Sequence, residues 1–266
     1  MQVRPPAVAG SFYPADPAAL AGAVDRYLAA GRARLAGGSP PPAAKAIIAP
    51  HAGYIYSGPI AGTAYAAAAA RAGEIERVVL LGPAHRVRVR GLATSSAGAF
   101  ATPLGEVPLE RTAIDAARRR PQVGIVDAAH ATEHSLEVHL PFLQRMLERF
   151  TLVPFAVGDA THAEVAELLD DMWGGAETLV VVSSDLSHYY DYATASRLDA
   201  DTAGAIETLQ PEQLGSESAC GRIPVGGLLL AAQRRGLRAR LLDLRNSGDT
   251  AGGRDEVVGY GAFAVG

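Results

Sequence analysis

Leu179-Val180-Val181-Val182-Ser183-Ser184-Asp185-Leu186-Ser187-His188 decides the fold: an apolar run, mostly β-branched, enters a turn of small residues that delivers an aspartate and a histidine. A continuous apolar run is what a strand buried on both faces requires, whereas a half-exposed strand alternates. The same pattern recurs in Ile47-Ile48-Ala49-Pro50-His51 and in Leu80-Leu81-Gly82-Pro83-Ala84-His85. Strands are therefore expected at residues 46–49, 78–81, 152–155 and 179–182, with helices at 17–30, 59–71, 136–149, 162–172 and 193–209. This alternation predicts an α/β fold with a mostly parallel central sheet flanked by helices on both sides. Residues 237–244 and 257–265 read as two further strands joined by a glycine-rich segment, pairing antiparallel at one edge of the sheet. The Pro/Gly-rich stretch 37–42 reads as a surface connection, so residues 1–266 are taken as one domain.

The composition, 48% hydrophobic and 20% charged with a formal net charge of -4, is that of an ordinary globular protein and argues against disorder. It gives no reason to expect nucleic-acid binding. The basic groups Arg118 to Arg120 and 234–240 sit beside expected helix ends and read as solvated faces. No secretory signal is apparent, and the alanine-rich run 65–70 is broken by Gly62, Arg71 and Gly73, too short to span a bilayer. A soluble, cytoplasmic protein is expected. The single cysteine, Cys220, cannot form an internal disulfide, which fits a reducing compartment and raises the question of its chemistry. The glycines near residues 51–62 match neither a Walker loop nor a dinucleotide fingerprint.

In open α/β sheets ligands bind in the crevice outside the carboxyl ends of the strands, so His51, His85, Asp185 and His188 are candidates to converge there. Two histidines and one anionic ligand, leaving open positions, is the donor set of many catalytic metal sites. The anion is either Asp185 or Cys220. The glycine and proline after Cys220 imply a loop or helix start, where amide donors and a nearby cation would lower the thiol pKa. A second cluster, Glu133-His134-Ser135-Leu136-Glu137-Val138-His139, offers His134 as a pocket residue, with Glu137 expected in the first turn of a helix. Tyr54 and Tyr56 follow His51 in a glycine-containing segment that reads as loop, where they either gate or line the pocket or serve packing, while His130 and His162 read as surface residues.

These motifs, together with the opening Arg4-Pro5-Pro6-Ala7-Val8-Ala9-Gly10-Ser11-Phe12-Tyr13-Pro14, Pro50-His51-Ala52-Gly53-Tyr54, and the closing Val258-Gly259-Tyr260-Gly261, resemble the Memo family over nearly the whole chain. That family in turn resembles the class III extradiol dioxygenases, non-haem iron enzymes that work at the carboxyl edge of an α/β sheet. The resemblance implies that His51, His85 and Cys220 hold a metal, with Cys220 where those enzymes place a glutamate. It implies acid/base roles for His188 and Asp185, while Tyr54 and His134 are substrate-pocket candidates by their positions in the chain. Fe(II) is the implied cofactor, with copper or zinc as alternatives that a softer thiolate ligand favours. The expected function is a dioxygenase-type oxidoreductase acting on a small aromatic substrate. The alternative is a metal-, peptide- or ligand-binding protein that keeps the crevice without turnover.

Overall fold

The structure is a computed structural model that describes residues 2–37 and 43–266; most of the connection expected at 37–42 lies outside the described residues. The strands in chain order are β1 (Val3–Arg4), β2 (Ala46–Ala49), β3 (Arg77–Pro83), β4 (Leu92–Thr94), β5 (Ala99–Thr102), β6 (Gly105–Pro108), β7 (Val123–Ile125), β8 (Thr151–Val157), β9 (Thr178–Ser183), β10 (His188–Tyr190), β11 (Ala239–Asn246) and β12 (Val257–Val265). The α-helices are α1 (Pro17–Ala36), α2 (Tyr54–Ala68), α3 (Arg111–Ala117), α4 (Ala128–Ala131), α5 (Leu140–Met146), α6 (His162–Met172), α7 (Tyr192–Glu207) and α8 (Arg222–Arg234).

The apolar runs form the centre of the main sheet, ordered β10-β12-β2-β9-β3-β8-β4-β7, with β11 also paired to β12. Strands β2, β9, β3 and β8 are mutually parallel and almost wholly buried, as their unbroken apolar sequences require. The sheet is mixed around this parallel centre. On one side β12 runs antiparallel to both β2 and β11, so β12 is interior. On the other, β4 runs antiparallel to β8. Strands β1, β5 and β6 form a separate small sheet.

Strand order places the chemistry. Because β9 lies between β2 and β3, the turns that follow these three strands emerge side by side at their carboxyl ends. Ala49 is level with Ser183, and Leu81 with Val182.

Helix α2 covers β2, β11 and β12, and α1 lies over α2; helix α8 covers β9 and β3, with α6 over it. Both helix pairs touch through glycine. A Cβ on Gly62 would run into the Tyr27 carbonyl, and one on Gly227 into Val165. Helix α1 starts at Asp16, whose carboxylate accepts from the Ala19 amide, and it extends to Ala36, beyond the expected end.

A buried carboxylate fastens residues 4–13 to the rest of the molecule. Glu137 accepts hydrogen bonds from Arg4 Nη1 at 2.6 Å, the Ala7 amide at 2.7 Å, the Val8 amide at 3.0 Å and the Tyr13 hydroxyl at 2.5 Å. Arg4 also donates to the carbonyls of His130 and Glu133. Glu137 was expected to stabilise a helix N-terminus; instead it opens a 3-10 turn, Glu137–His139, and its charge faces Arg4. The expected helix at 136–149 is correspondingly shorter, because Leu147 is extended.

Gly62→Ala should cost about 1–3 kcal/mol by overpacking the α1–α2 contact, read from urea unfolding, whereas Gly73→Ala, in open space, should stay within about 0.5 kcal/mol. Glu137→Gln should cost about 3–5 kcal/mol because Arg4 keeps its buried charge without a counter-ion; unchanged unfolding midpoints would refute the clamp.

Candidate metal centre

His51 leaves β2 completely buried, and its surroundings assign its tautomer. Its Nδ1 lies 2.6 Å from Ser183 Oγ, and Ser183 gives its single proton to the Ser135 carbonyl at 2.6 Å. The hydroxyl must therefore accept from His51, so Nδ1 carries the proton and Nε2 keeps its lone pair. His139 meets the same oxygen through Nε2 at 2.8 Å, and its Nδ1 takes the Tyr65 hydroxyl proton at 2.9 Å. Burial, then the neighbouring His85 and His134, holds His51 well below the usual imidazole range; burial pushes His139 down to about 3. Both rings are neutral.

His85 follows β3 and is fixed by a different group. The Glu133 carboxylate accepts from the His85 amide at 2.6 Å and from His85 Nδ1 at 3.0 Å. It also takes the amides of His134 and Ser135. Burial raises the Glu133 pKa, but the His85 hydrogen bond and these amides outweigh it and hold the carboxyl well below the usual range. A histidine whose Nδ1–H is committed to a carboxylate presents Nε2 outward, the arrangement found behind many metal-ligating histidines. Gly82 lets β3 press against this region, since a Cβ there would lie 2.9 Å from Leu136 and 3.0 Å from the Ser135 hydroxyl.

His134 joins the two. Its ring stacks on His85 with centroids 4.8 Å apart and packs against Phe12 at 4.7 Å. Ligand atoms of His51, His85 and His134 all lie within 4.8 Å of one another, close enough to hold one metal ion. His134 Nδ1 is 3.2 Å from Glu133, but this contact lacks hydrogen-bond geometry and the buried nitrogen has no partner among the described residues. His134, expected only to line the pocket, is thus part of the potential ligand set.

Cys220, in the loop before α8, lies beside His51, with Sγ 3.3 Å from His51 Nε2 and 3.7 Å from the Asp185 carbonyl, and stands outside the mutually close three-histidine group. Gly221 permits this approach: a Cβ there would lie 2.6 Å from the Ser183 carbonyl, and its amide donates to Ser184 Oγ. The expectation of a lowered thiol pKa is overturned. Burial and the Asp185 carboxylate push Cys220 up to about 12, so the thiol is protonated until a cation displaces its proton.

Asp185 accepts from the His51 amide at 2.7 Å, and its second oxygen is 3.9 Å from His51 Nε2; burial raises its pKa. His188 gives Nδ1–H to the Leu186 carbonyl at 2.8 Å, which leaves its Nε2 as the free nitrogen. Both residues line the crevice of about 540 Å³ that holds the three histidines and Cys220. A larger hollow of about 720 Å³ lies at the amino ends of β3 and β8, with Glu76, Glu106, Glu110, Glu148 and Glu177 in its wall and no histidine or cysteine.

Other expectations need correction. Tyr54 is a core residue: it opens α2, packs against Tyr13 and Phe142, and donates to the Val138 carbonyl at 2.7 Å. His130 is buried, with Nε2 on the Ala93 carbonyl. Ser183, Glu133 and Tyr65, which with His139 orient the imidazoles, had no assigned role; only the adjacency of Glu133 to His134 hinted at one.

Fold and site together define an α/β protein with a candidate mononuclear metal centre at the carboxyl edge of its sheet. Residues 4–264 match the family model described as Memo-like protein. A MEMO1 family protein of Methanopyrus kandleri is 37% identical over 98% of each chain, and one of Aquifex aeolicus 36% identical over 98% of each chain. The chain belongs to the Memo family. An uncharacterized protein, JW3007, from Escherichia coli K12 shares the fold, with a TM-score of 0.51 at 12% identity over 81% of this chain and 98% of that one. Among the described residues no helix is long and apolar enough to cross a membrane.

Glu133→Gln removes the charge behind His85 and replaces one of the two acceptor oxygens that fix it with a donor. It should lower zinc affinity about 10–100-fold by chelator competition; an unchanged affinity would exclude His85 from the ligand set.

Proposed function

We propose that this chain is a mononuclear non-haem iron oxidoreductase of dioxygenase type acting on a small aromatic substrate. One observation carries the reading: His51 and His85 each have Nδ1–H committed to a fixed acceptor, so both offer Nε2 lone pairs, and Cys220 Sγ lies 3.3 Å from that of His51. Two imidazoles with outward Nε2 and a thiol that ionises on binding fit a soft or borderline divalent cation. Bound Fe(II) would supply Lewis acidity and one-electron chemistry that no side chain of this crevice possesses.

The remaining roles belong to the chain itself. His51, His85 and Cys220 hold the metal, with His134 as a further donor. His188, with Nδ1–H anchored on Leu186, keeps Nε2 to take or return a proton of the substrate hydroxyl. Asp185, buried beside Cys220 and bonded to the His51 amide, fixes the loop that carries His188 and balances a cation.

A second reading is a metal-, peptide- or ligand-binding protein without turnover. It is favoured by the thiol in the ligand set, which raises affinity for zinc or copper without adding oxidative chemistry.

The test is anaerobic iron loading followed by oxygen-electrode measurements with a panel of phenols and catechols. We expect about one iron per chain, weaker iron retention in Cys220→Ser, and oxygen uptake that His188→Ala abolishes while sparing the metal. No uptake with any phenol, together with iron retention unaffected by Cys220→Ser, would sink the oxidative reading. Saturable ligand binding that survives His188→Ala without oxygen uptake would establish the second one.

A further inference from the structure

Adjoining the main crevice lies a second recess of about 340 Å³, which shares His85 and Cys220 with it. Its walls carry Arg88, from the loop after β3, and Arg222, the first residue of α8. Neither guanidinium has a hydrogen bond or ion pair among the described residues. Asp159 is the one carboxylate in this wall and it pairs with neither arginine, which leaves the recess net positive.

The main crevice has the opposite balance. Arg86 shares its wall with two carboxylates, Asp185 and Glu217, and Glu217 is hydrogen-bonded by Tyr190. Two cavities of different charge therefore meet at His85 and Cys220.

The basic recess is built rather than left over. In Arg86-Val87-Arg88-Val89-Arg90 the valines alternate with arginines, and Val89 is buried. Its carbonyl accepts from the Asp159 amide at 2.8 Å, and the Gly158 amide donates to the Gly91 carbonyl at 3.0 Å. A Cβ on Gly158 would collide with the Val89 carbonyl, so β8 can dock against this loop only through glycine. Arg88 thus leaves a fixed backbone, and Arg222 leaves the first turn of a 13-residue helix whose positive end contributes in the same direction. Two unpaired guanidiniums at one cavity are a receptor for a carboxylate or phosphate, which a fork of N–H donors binds with geometric preference.

We infer that the small molecule acted on at the metal centre is an anion, its carboxylate or phosphate taken by Arg88 and Arg222 while its other end lies at His85 and Cys220. This rests on the reading of the crevice as a substrate site, and it adds the substrate's charge and the direction in which it lies.

The test compares catechol with 3,4-dihydroxybenzoate, which share the diol and differ by one carboxylate. Anaerobic calorimetry on the metal-loaded chain should show the carboxylated diol binding about tenfold or more tightly. The double variant Arg88→Gln/Arg222→Gln should reduce this preference to under about twofold with metal content unchanged, and Arg88→Gln alone, on an exposed loop, should move it in the same direction. Benzoate and phenyl phosphate titrated into the metal-free chain should bind only when both arginines are present, the tighter of the two naming the anion. Equal binding of the two diols, or a preference kept by the double variant, overturns the inference. Oxygen uptake with catechol and no preference would remove the anion subsite and leave the oxidative reading standing. Arginine-dependent binding of benzoate or phenyl phosphate without oxygen uptake from any diol would do the reverse.

Discussion

One hydroxyl proton governs the site. Ser183 has a single hydrogen to give and gives it to the Ser135 carbonyl, so its two lone pairs are left for His51 and His139. That choice sets which nitrogen of His51 is a donor and hence which one faces the crevice. It also ties three distant pieces of chain together: the end of β9, the end of β2 and the 133–139 segment. Each bond alone adds about 0.5–1.5 kcal/mol, but losing the hub would leave two ring donors and a carbonyl unsatisfied in the interior, a larger cost.

The two principal histidines are held by unlike partners. A neutral hydroxyl supports fully buried His51, whereas the ionised Glu133 supports His85, whose side chain is 29% exposed. The centre is therefore asymmetric before any ligand arrives. Behind the His51 ring stands a neutral hydroxyl, and behind the His85 ring a formal negative charge. Glu133 holds His85, His134 and Ser135 together, so the second cluster of the sequence is the clamp of the first.

Much of this was legible in the sequence because buried parallel strands leave a local mark. The runs ending at His51, His85 and Asp185 became β2, β3 and β9, and the limits of α6 and β12 match the expected ones. Strand order left no such mark, because the β2-β9-β3 arrangement is made by pairing between segments far apart in the chain. The short strands β4 to β7 carry too few residues for periodicity to register. The thiol argument failed for a related reason. It weighed only neighbours in sequence, whereas burial and an aspartate 35 positions away set the Cys220 equilibrium. Tyr54 misled because an aromatic after a glycine reads as loop, while here it begins a helix facing the core.

The Glu137 clamp has a consequence for how the molecule comes together. Its bonds to Arg4, Ala7, Val8 and Tyr13 join positions 124 to 133 residues apart, and the contact between Cys220 and His51 spans 169. Contacts of such separation form late, since closing long loops costs entropy before any packing rewards it. During synthesis the segment around Arg4 emerges long before its carboxylate partner and must wait unpaired. The three histidines can gather once β9 is made, but Cys220 lies 37 residues beyond its end at Ser183, so a nascent chain passes through a stage with the imidazole donors and without this thiol.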